Sequence, residues 1–305
     1  MKSSERLRLG LDLGGSKIEA VILGEGDDIR ARQRAAMPPI YEDALAAIAD
    51  LVSEVERQAG ATTQDAGIGA PGSISPKTGL MRNSNSTPLN GRAADVDLRR
   101  VLNRPVTLAN DANCFALAEA KSGAGAGCNV VFGVILGTGV GGGIVVDGRP
   151  LMGRNAIGSE WGHNPLPARS IEEQTGPICD CGRNGCIEAW CSGPGLVADH
   201  FRRTGSELDP AMLSAFADAG DFEAKETLDL HVARLGRALA GVVNLLDPDV
   251  IVLGGGLSKM QHLYHGLPEA IRPHVFSDVF ETPVVENRLG DSAGVIGAAW
   301  LCNQP

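Results

Sequence analysis

The stretch GLDLGGSKIEAVIL, residues 10–23, decides how the start of this chain folds. Leucines at every second position from Leu7 to Leu13 predict a strand, because successive side chains of a strand point to opposite faces. After the turn Gly14-Gly15-Ser16, a second alternation from Lys17 to Leu23 predicts another strand, so the glycines lie in a hairpin. A dinucleotide-binding fingerprint instead leads from a strand into a helix. The hairpin therefore excludes a Rossmann fold here.

A second copy of this pattern, GVILGTGVGGGIVV at residues 133–146, indicates a duplicated fold. A third glycine cluster, Gly254–Gly256, differs because it follows the short apolar run 250–253, which is typical of a buried strand. We expect Ser258 to cap a helix that begins just after these glycines.

The wider pattern predicts an α/β architecture. Apolar residues at helical spacing predict helices over residues 42–58 and 228–246, and strands alternate with them along the chain. A length of 305 residues is enough for two hydrophobic cores. We expect a last helix over residues 293–301 that returns to the first lobe, and the predicted lobes are residues 1–110 plus 292–305 and residues 111–291.

Composition narrows the functional classes. The net charge of -10 argues against a nucleic-acid partner, because affinity for phosphate backbones comes from clustered Lys and Arg. The first residues hold no apolar stretch typical of a signal peptide, and no later run has the length that spans a bilayer. We therefore expect a soluble, cytoplasmic protein without a membrane partner, in which the seven cysteines stay reduced.

The three glycine loops together predict a nucleotide bound between two lobes. A phosphate needs backbone amides that no side chain shields, although any one glycine hairpin is more often a structural turn. Asp12, at the end of the first strand, is a candidate Mg²⁺ ligand, directly or through water, and its alternative role is a solvent-facing turn residue. The candidate loop residues are Gly14, Gly15, Ser16, Lys17, Gly137, Thr138, Gly139, Gly254, Gly255 and Gly256.

Three thiols at Cys179, Cys181 and Cys186 predict a structural zinc site, because tetrahedral Zn²⁺ takes four thiolate or imidazole ligands. A redox cluster and inert cysteines are the alternatives. Cys191 is near enough in sequence to be the fourth ligand. The other thiols lie in or beside apolar stretches and are expected in the core: Cys114, Cys128 and Cys302. Trp161 and Trp300 are expected to fill packing gaps, and His262 and His265 are expected on a helix surface.

Asp111 follows the short strand 105–108 and precedes an alanine-rich helix that runs to about Lys121. An aspartate at this place can serve either as a helix cap or as a general base. As a base, it would accept the proton of a sugar hydroxyl that attacks a phosphoryl group, and the helix N-terminus would favour its ionised form.

The motifs DLGGSK, GTGVGGG and LDPDVIVLGGG resemble the phosphate and adenosine segments of actin-like sugar kinases. EWGH and CDCGRNGCIE narrow the resemblance to the ROK family (repressor, ORF, kinase), over nearly the whole chain. PGSISPKTG, NSNSTPLNG, NDANC, EWGHNPLP and GDSAGVIGAAWL look most like the bacterial fructokinase, or mannofructokinase, branch. The resemblance implies a two-lobed actin-like ATPase fold, of the sugar kinase and ribonuclease H-like type, with duplicated α/β domains.

The resemblance also implies roles for single residues. Asp111 matches the family's catalytic base, and His163 matches its fourth zinc ligand, whose second ring nitrogen would face the sugar. Ser16 replaces the usual threonine of the first loop, and Pro88 stands where several relatives carry an aromatic residue near the sugar rim. The implied sugar-binding residues are Asn85, Asn110, Glu160, His163 and Glu188.

The implied activity is ATP-dependent phosphorylation of the 6-hydroxyl of D-fructose, with mannose and glucose as further substrates. It requires Mg²⁺ with ATP and closure of the lobes around the sugar, which excludes water. A kinase for N-acetylglucosamine, N-acetylmannosamine or glucose is the nearest alternative. A sugar-sensing repressor, which in this family carries an added N-terminal helix-turn-helix, and a sugar-binding protein without turnover are the others. The resemblance further implies a homodimer.

Overall fold

A computed structural model describes residues 6–84, 87–167 and 170–302 of the chain. The strands are β1 Arg8–Leu13, β2 Lys17–Leu23, β3 Ile29–Ala36, β4 Ala66–Ala70, β5 Ser73–Ile74, β6 Met81–Arg82, β7 Val106–Asn110, β8 Val130–Leu136, β9 Val140–Val146, β10 Arg149–Pro150, β11 Val250–Gly254 and β12 Val284–Glu286. The helices are α1 Tyr41–Ala59, α2 Ala94–Leu102, α3 Asp111–Ser122, α4 Ile171–Thr175, α5 Ile187–Cys191, α6 Gly193–Thr204, α7 Pro210–Asp218, α8 Phe222–Leu246, α9 His262–Ile271 and α10 Ala293–Trp300.

The first sheet has the strand order β3-β2-β1-β4-β7. β1 and β2 pair antiparallel with Asp12 opposite Glu19 and Leu13 opposite Ile18, so the predicted hairpin is confirmed. β4 lies parallel to β1 on one side and to β7 on the other. The alternating leucines of β1 are fully buried, which explains the period of two in the sequence.

The second sheet repeats the plan of the first, with the order β10-β9-β8-β11-β12. β8 and β9 occupy the places of β1 and β2, and β11 lies parallel to β8 and to β12. The predicted duplication is therefore confirmed. The helices predicted over residues 42–58 and 228–246 are confirmed as α1 and α8; α8 begins earlier, at Phe222, because the Asp221 carboxylate caps it by accepting from the Ala224 amide at 2.8 Å.

The chain divides into two compact units. Unit 1 comprises Met1–Gly127, Gly143–Ser159 and Leu289–Pro305, and unit 2 comprises Cys128–Gly142 and Glu160–Arg288. This division assigns α3 to unit 1, whereas the expected lobe boundary precedes it, because α3 packs against α10. The functional lobe boundary at residue 110 stays a prediction.

α10 lies in unit 1, as predicted, and packs on β1, β4 and α3. Glycines permit this close approach. A Cβ on Gly67 would lie 1.7 Å from the carbonyl oxygen of Ala298, and one on Gly297 would lie 1.7 Å from that of Cys114. Backbone therefore packs directly on backbone across this part of the core.

No helix in the described ranges combines the length and the apolar character that crossing a bilayer requires.

Candidate active site

The loop after β1 is a tight turn in unit 1. The Gly14 amide donates to the Lys17 carbonyl oxygen at 3.0 Å, and Gly15, Ser16 and Lys17 are exposed. The hairpin thus exposes a hydroxyl and an ammonium group, which are groups that can contact a phosphate, and the phosphate role of this loop stays a prediction.

Asp12 is partly buried at the end of β1, not solvent-facing. The pKa of Asp12 is raised to about 6, because burial and, to a smaller extent, the carboxylates of Asp111 and Glu19 raise it more than Lys17 and Arg34 lower it. A Cβ on Gly294, beside the start of α10, would lie 3.0 Å from Asp12 Oδ2. A bound cation would relieve this cost of ionisation, and the role of Asp12 as a Mg²⁺ ligand stays a prediction.

Asp111 is the first residue of α3, as predicted, but the cap is Asn110. Asn110 Oδ1 accepts from the Ala112 amide at 2.9 Å, and its Nδ2 donates to the Gly72 carbonyl oxygen at 3.3 Å. Asp111 Oδ1 also accepts from the Ala112 amide at 2.9 Å. Burial raises the pKa of Asp111, and these backbone hydrogen bonds lower it in part. Asn110 therefore caps α3, and the role of Asp111 as the base stays a prediction.

The candidate Asn85 lies outside the described residues. The structure therefore places Asn110, but not Asn85, relative to Asp111.

In unit 2, three residues, Gly137 to Gly139, connect β8 and β9, and we call them, together with Val140 at the start of β9, the glycine loop. The Gly137 amide donates to the Gly139 carbonyl oxygen at 3.0 Å, and the Gly193 amide donates to the Gly137 carbonyl oxygen at 2.8 Å. The loop is therefore fixed from within and by the first residue of α6.

The Gly254–Gly256 segment does not lead directly into a helix N-terminus, so that prediction is wrong. Gly256–Lys259 form a single 3-10 turn in which Ser258 Oγ donates to the Gly255 carbonyl oxygen at 2.7 Å, and α9 begins only at His262. Gly255 has φ +80°, and a Cβ there would lie 2.4 Å from the Leu136 carbonyl oxygen. This glycine is required by packing against β8 as well as by its backbone conformation.

A cavity of about 1170 Å³ lies within unit 2, and the two glycine segments contribute to its wall. Gly137, Thr138 and Gly256 line it, whereas Gly139, Gly254 and Gly255 lie outside the lining. α6 and α7 supply much of the remaining wall, which is mainly apolar and includes Val197, Ala198, Phe201, Pro210, Leu257 and Met260. Concave, apolar sites with a few polar groups are typical of small-molecule binding.

Sequence reasoning missed the walls that α6 and α7 supply. The available signal was SGPG at residues 192–195, where the Ser192 hydroxyl caps α6 by accepting from the Gly195 amide at 3.1 Å and Pro194 occupies the first turn. That pattern predicts where α6 starts, but it does not predict what α6 faces.

The predicted zinc ligands are brought together. His163, Cys179, Cys181 and Cys186, which we call the thiol cluster, have ligand atoms within 4.8 Å of one another. Cys179 Sγ lies 3.5 Å from His163 Nδ1, and the Sγ atoms of Cys181 and Cys186 are 3.6 Å apart. Tetrahedral Zn²⁺ with bonds of about 2.3 Å places sulfur ligands roughly 3.7 Å apart, so the donor set fits this metal.

A tight backbone turn over residues 179–183 positions two of the thiols of the cluster. The Cys179 amide donates to the Arg183 carbonyl oxygen and the Gly182 amide to the Cys179 carbonyl oxygen, both at 2.8 Å, and Gly182 takes the left-handed conformation. Burial raises the pKa of Cys181, but hydrogen bonds from Arg183 outweigh it and lower this pKa to about 6. Cys191 is buried outside the cluster. His163, not Cys191, is the fourth residue whose ligand atom lies within 4.8 Å of those of the three thiols of the cluster, so the geometry does not favour Cys191 as the fourth ligand.

Glu188 lies in the first turn of α5, between the thiol cluster and the glycine loop. Its Oε2 accepts from the Val140 amide at 2.9 Å, while its Oε1 accepts from Cys179 Sγ at 3.4 Å and lies 3.8 Å from His163 Nδ1. Glu160 immediately precedes the 3-10 turn Trp161–His163. A Cβ on Gly162 would lie 2.0 Å from the Val140 carbonyl oxygen, so the glycine allows this turn to pack on β9.

Most of the remaining predictions on cysteines and aromatic residues are confirmed. Cys114 and Cys302 are buried, whereas Cys128 is only partly buried. Trp161 packs edge-to-face on Phe132 and donates to the Gly141 carbonyl oxygen at 3.2 Å, and Trp300 donates to Asp27 at 2.8 Å.

His265 is exposed as predicted, but the surface position predicted for His262 is wrong. The His262 ring lies 6.3 Å from that of His231 on α8, and burial, followed by the His231 charge, lowers the pKa of His262 to about 4. Its place at the start of α9 turns the ring toward the protein interior.

The repeated sheets with their glycine hairpins define a two-domain α/β fold of the actin-like sugar-kinase class. The chain belongs to the ROK family, which matches it over residues 8–305. It is 37% identical over 296 residues to the N-acetylgalactosamine kinase AgaK of Shewanella sp. (strain ANA-3), covering 96% of this chain and 95% of that one. It is also 37% identical over 298 residues to the N-acetyl-D-glucosamine kinase of Pectobacterium atrosepticum, covering 96% and 97%.

Solved structures agree with this assignment. The crystal structure of a ROK hexokinase from Thermus thermophilus has a TM-score of 0.87 and 33% identity, covering 96% of this chain and 97% of that one. A ROK family glucokinase from Streptomyces griseus, in complex with glucose and AMPPNP, has a TM-score of 0.77 and 28% identity, covering 98% and 100%. The ROK resemblance is confirmed, and the fructokinase branch stays a prediction.

Proposed function

We propose that this protein transfers the γ-phosphoryl group of ATP to the 6-hydroxyl of a hexose. The observation that carries the proposal is the large cavity in unit 2, which Gly137, Thr138 and Gly256 line where the family resemblance implies ATP. The related kinases, one of which was crystallised with AMPPNP and glucose, support the same reaction.

The proposed chemistry needs few groups. Thr138 and the amides of the glycine loop hold the nucleotide, with the hairpin residues Gly14–Lys17 as further phosphate contacts, and Asp12 binds Mg²⁺ directly or through water. Asp111 accepts the proton of the sugar hydroxyl as its oxygen attacks the γ-phosphorus and ADP leaves. The raised pKa of Asp111 makes it a better proton acceptor than an exposed aspartate.

Asn110, Glu160, His163 and Glu188 are the proposed sugar contacts, with Asn85 as a further one. Glu188 uses one oxygen for the Val140 amide, and a carboxylate offers about four acceptor positions, so it can still receive a sugar hydroxyl. His163 Nδ1 faces Cys179, which leaves Nε2 as the nitrogen for the sugar.

We propose that the thiol cluster holds a structural Zn²⁺. The four donors would form a closed set without an open position for catalysis. The ion would fix His163 and the start of α5 in place, and the reaction itself would proceed through other residues.

The relatives favour an N-acetylated hexosamine as the substrate, since those named above are kinases of N-acetylgalactosamine and N-acetylglucosamine. D-fructose, predicted from NSNSTPLNG and its neighbouring motifs, is the second candidate. Any of these sugars presents a 6-hydroxyl, so the proposed role of Asp111 is the same for each.

A coupled assay of ADP release over a sugar panel tests the proposal. The panel contains fructose, mannose, glucose, N-acetylglucosamine, N-acetylgalactosamine and N-acetylmannosamine, and the expected result is sugar-dependent ADP release with highest kcat/KM for an N-acetylated hexosamine. Sugar binding without ADP release would instead indicate a regulator or a binding protein. The proposed homodimer is tested by light scattering of the same preparation.

A further inference from the structure

α5 begins directly after the thiol cluster. Cys186, a member of the cluster, is the residue that precedes α5, and the Ile187 amide donates to the Asn164 carbonyl oxygen at 2.9 Å. Because Asn164 follows His163, the start of α5 is attached to two of the four cluster residues. If the thiol cluster becomes ordered or disordered, the start of α5 is therefore the first element affected.

α5 and the residues after it hold the glycine loop at both ends. Glu188 accepts from the Val140 amide at one end, and the Gly193 amide donates to the Gly137 carbonyl oxygen at the other. A Cβ on Gly139 would lie 2.6 Å from Glu188 Oε2, so the carboxylate also packs against the loop backbone between these contacts. The loop then forms part of the cavity wall through Gly137 and Thr138.

Glu188 contacts both the thiol cluster and the glycine loop. Its two oxygens divide their contacts, because Oε1 faces Cys179 and His163 whereas Oε2 faces Val140. Its side chain is 19% exposed, so its hydrogen bond with the Val140 amide forms in a largely water-excluded place where a charged hydrogen bond is strong.

We propose that Glu188 is a positioning residue that couples metal loading of the thiol cluster to nucleotide affinity. An ordered cluster fixes the start of α5, the Glu188 carboxylate then fixes the Val140 amide, and the glycine loop is held in its nucleotide-binding conformation. This inference rests on the proposed function, because it takes the cavity as the ATP site. By linkage, nucleotide must also increase metal affinity by the same factor.

Hydrogen exchange of the full chain tests the coupling without nucleotide. After metal removal with a chelator, the peptide covering residues 133–146 should exchange roughly fivefold or more faster, at the low end of typical couplings. The β11 peptide, residues 250–254, should be unchanged, which distinguishes local release from unfolding. In Glu188→Ala the loop should exchange fast with or without metal. Glu188→Gln, which keeps an oxygen for the Val140 amide, should remain close to the unmodified protein.

Nucleotide affinity is the second measurement. The Kd of Mg·AMPPNP, measured without sugar, should rise roughly fivefold or more on metal removal and should not respond to metal in Glu188→Ala. Reciprocally, saturating AMPPNP should raise Zn²⁺ affinity in competition with a chromophoric chelator. Glu172→Ala is the matched control, since Glu172 is an exposed carboxylate on α4. If Glu188→Ala fails to hold metal, Gly139→Ala tests the same contact with Glu188 intact.

The outcomes separate the two proposals. Loop exchange that ignores metal removal, or metal dependence that survives in both Glu188→Ala and Gly139→Ala, would overturn the coupling. If the metal-loaded protein binds no nucleotide, the proposed function fails, and hydrogen exchange alone then decides whether Glu188 positions the loop.

Discussion

Replacing Asp12 by asparagine should stabilise the protein at neutral pH while removing the proposed Mg²⁺ ligand. Burial raises the pKa of Asp12 from its ordinary 3.8 to about 6 in the folded state. Between these two values the unfolded chain has released the proton and the folded protein has kept it, so the free energy of unfolding falls as pH rises. Above the pKa of the folded state, the free energy of unfolding has lost the whole contribution of the Asp12 proton. Asparagine, which has a similar shape and no titration, avoids this loss.

The magnitude follows from the two pKa values. A change from 3.8 to about 6 corresponds to about 3 kcal/mol at pH 8, and to less than about 1 kcal/mol near pH 4. Urea unfolding of Asp12→Asn and the unmodified protein, in EDTA so that no cation neutralises the carboxylate, measures this difference at both pH values. Asp50→Asn on the exposed face of α1 is the matched control and should differ little from the unmodified protein. An Asp12→Asn variant that is no more stable at pH 8, or equally stabilised at both pH values, would refute the reasoning.

Three further predictions concern the base, the metal and the core. Asp111→Asn retains an acceptor for the Ala112 amide, so the fold should be kept. The kcat should fall by roughly 10²–10⁴ with unchanged AMPPNP affinity, because the base is lost. Turnover at the native rate would eliminate Asp111 as the base. Cys181→Ser should lose both zinc, by elemental analysis, and sugar affinity, whereas Cys128→Ser outside the cluster should lose neither; a metal-free Cys181→Ser with normal KM would contradict this. Gly297→Ala should destabilise the protein, because its Cβ would lie 1.7 Å from the Cys114 carbonyl oxygen. Overpacking should lower the free energy of unfolding by about 2 kcal/mol or more, which exceeds the gain in helix propensity of about 1 kcal/mol. Gly241→Ala on α8, where a Cβ meets no atom within 4 Å, should instead stabilise, and equal effects of the two alanines on urea unfolding would contradict the packing argument.

Local periodicity carried much of the prediction. The hairpin after Leu13, its repeat at residues 133–146 and the cluster of three thiols with His163 are encoded by short-range patterns or by family motifs, and the structure forms each of them. The hairpins and the three thiols depend on residues that are close in sequence, whereas His163 lies 16 positions from Cys179 and was predicted from the family motif.

Features that depend on tertiary contacts were not predictable in the same way. Ser258 has the chemistry of a helix cap, but packing of Gly255 against β8 imposes a 3-10 turn first. His262 has no acidic or thiol partner nearby in the sequence, which predicted a surface position, yet its ring lies beside His231 of α8. The bond from the Val140 amide to Glu188 joins residues 48 positions apart, and the cavity walls from α6 and α7 lie far along the chain from the glycine loop. No local pattern contains that information.

The position of α10 also determines the order in which the chain can fold during synthesis. Nascent domains ordinarily fold from the N-terminus onward. Here α10 fills the groove that the absent side chains of Gly10 and Gly67 leave in unit 1, and α10 is made after all segments of unit 2, which end before residue 289. Unit 1 holds the N-terminus and yet cannot be completed until the last helix is available, so a truncation before residue 293 would damage unit 1 while it leaves every segment of unit 2 in the chain.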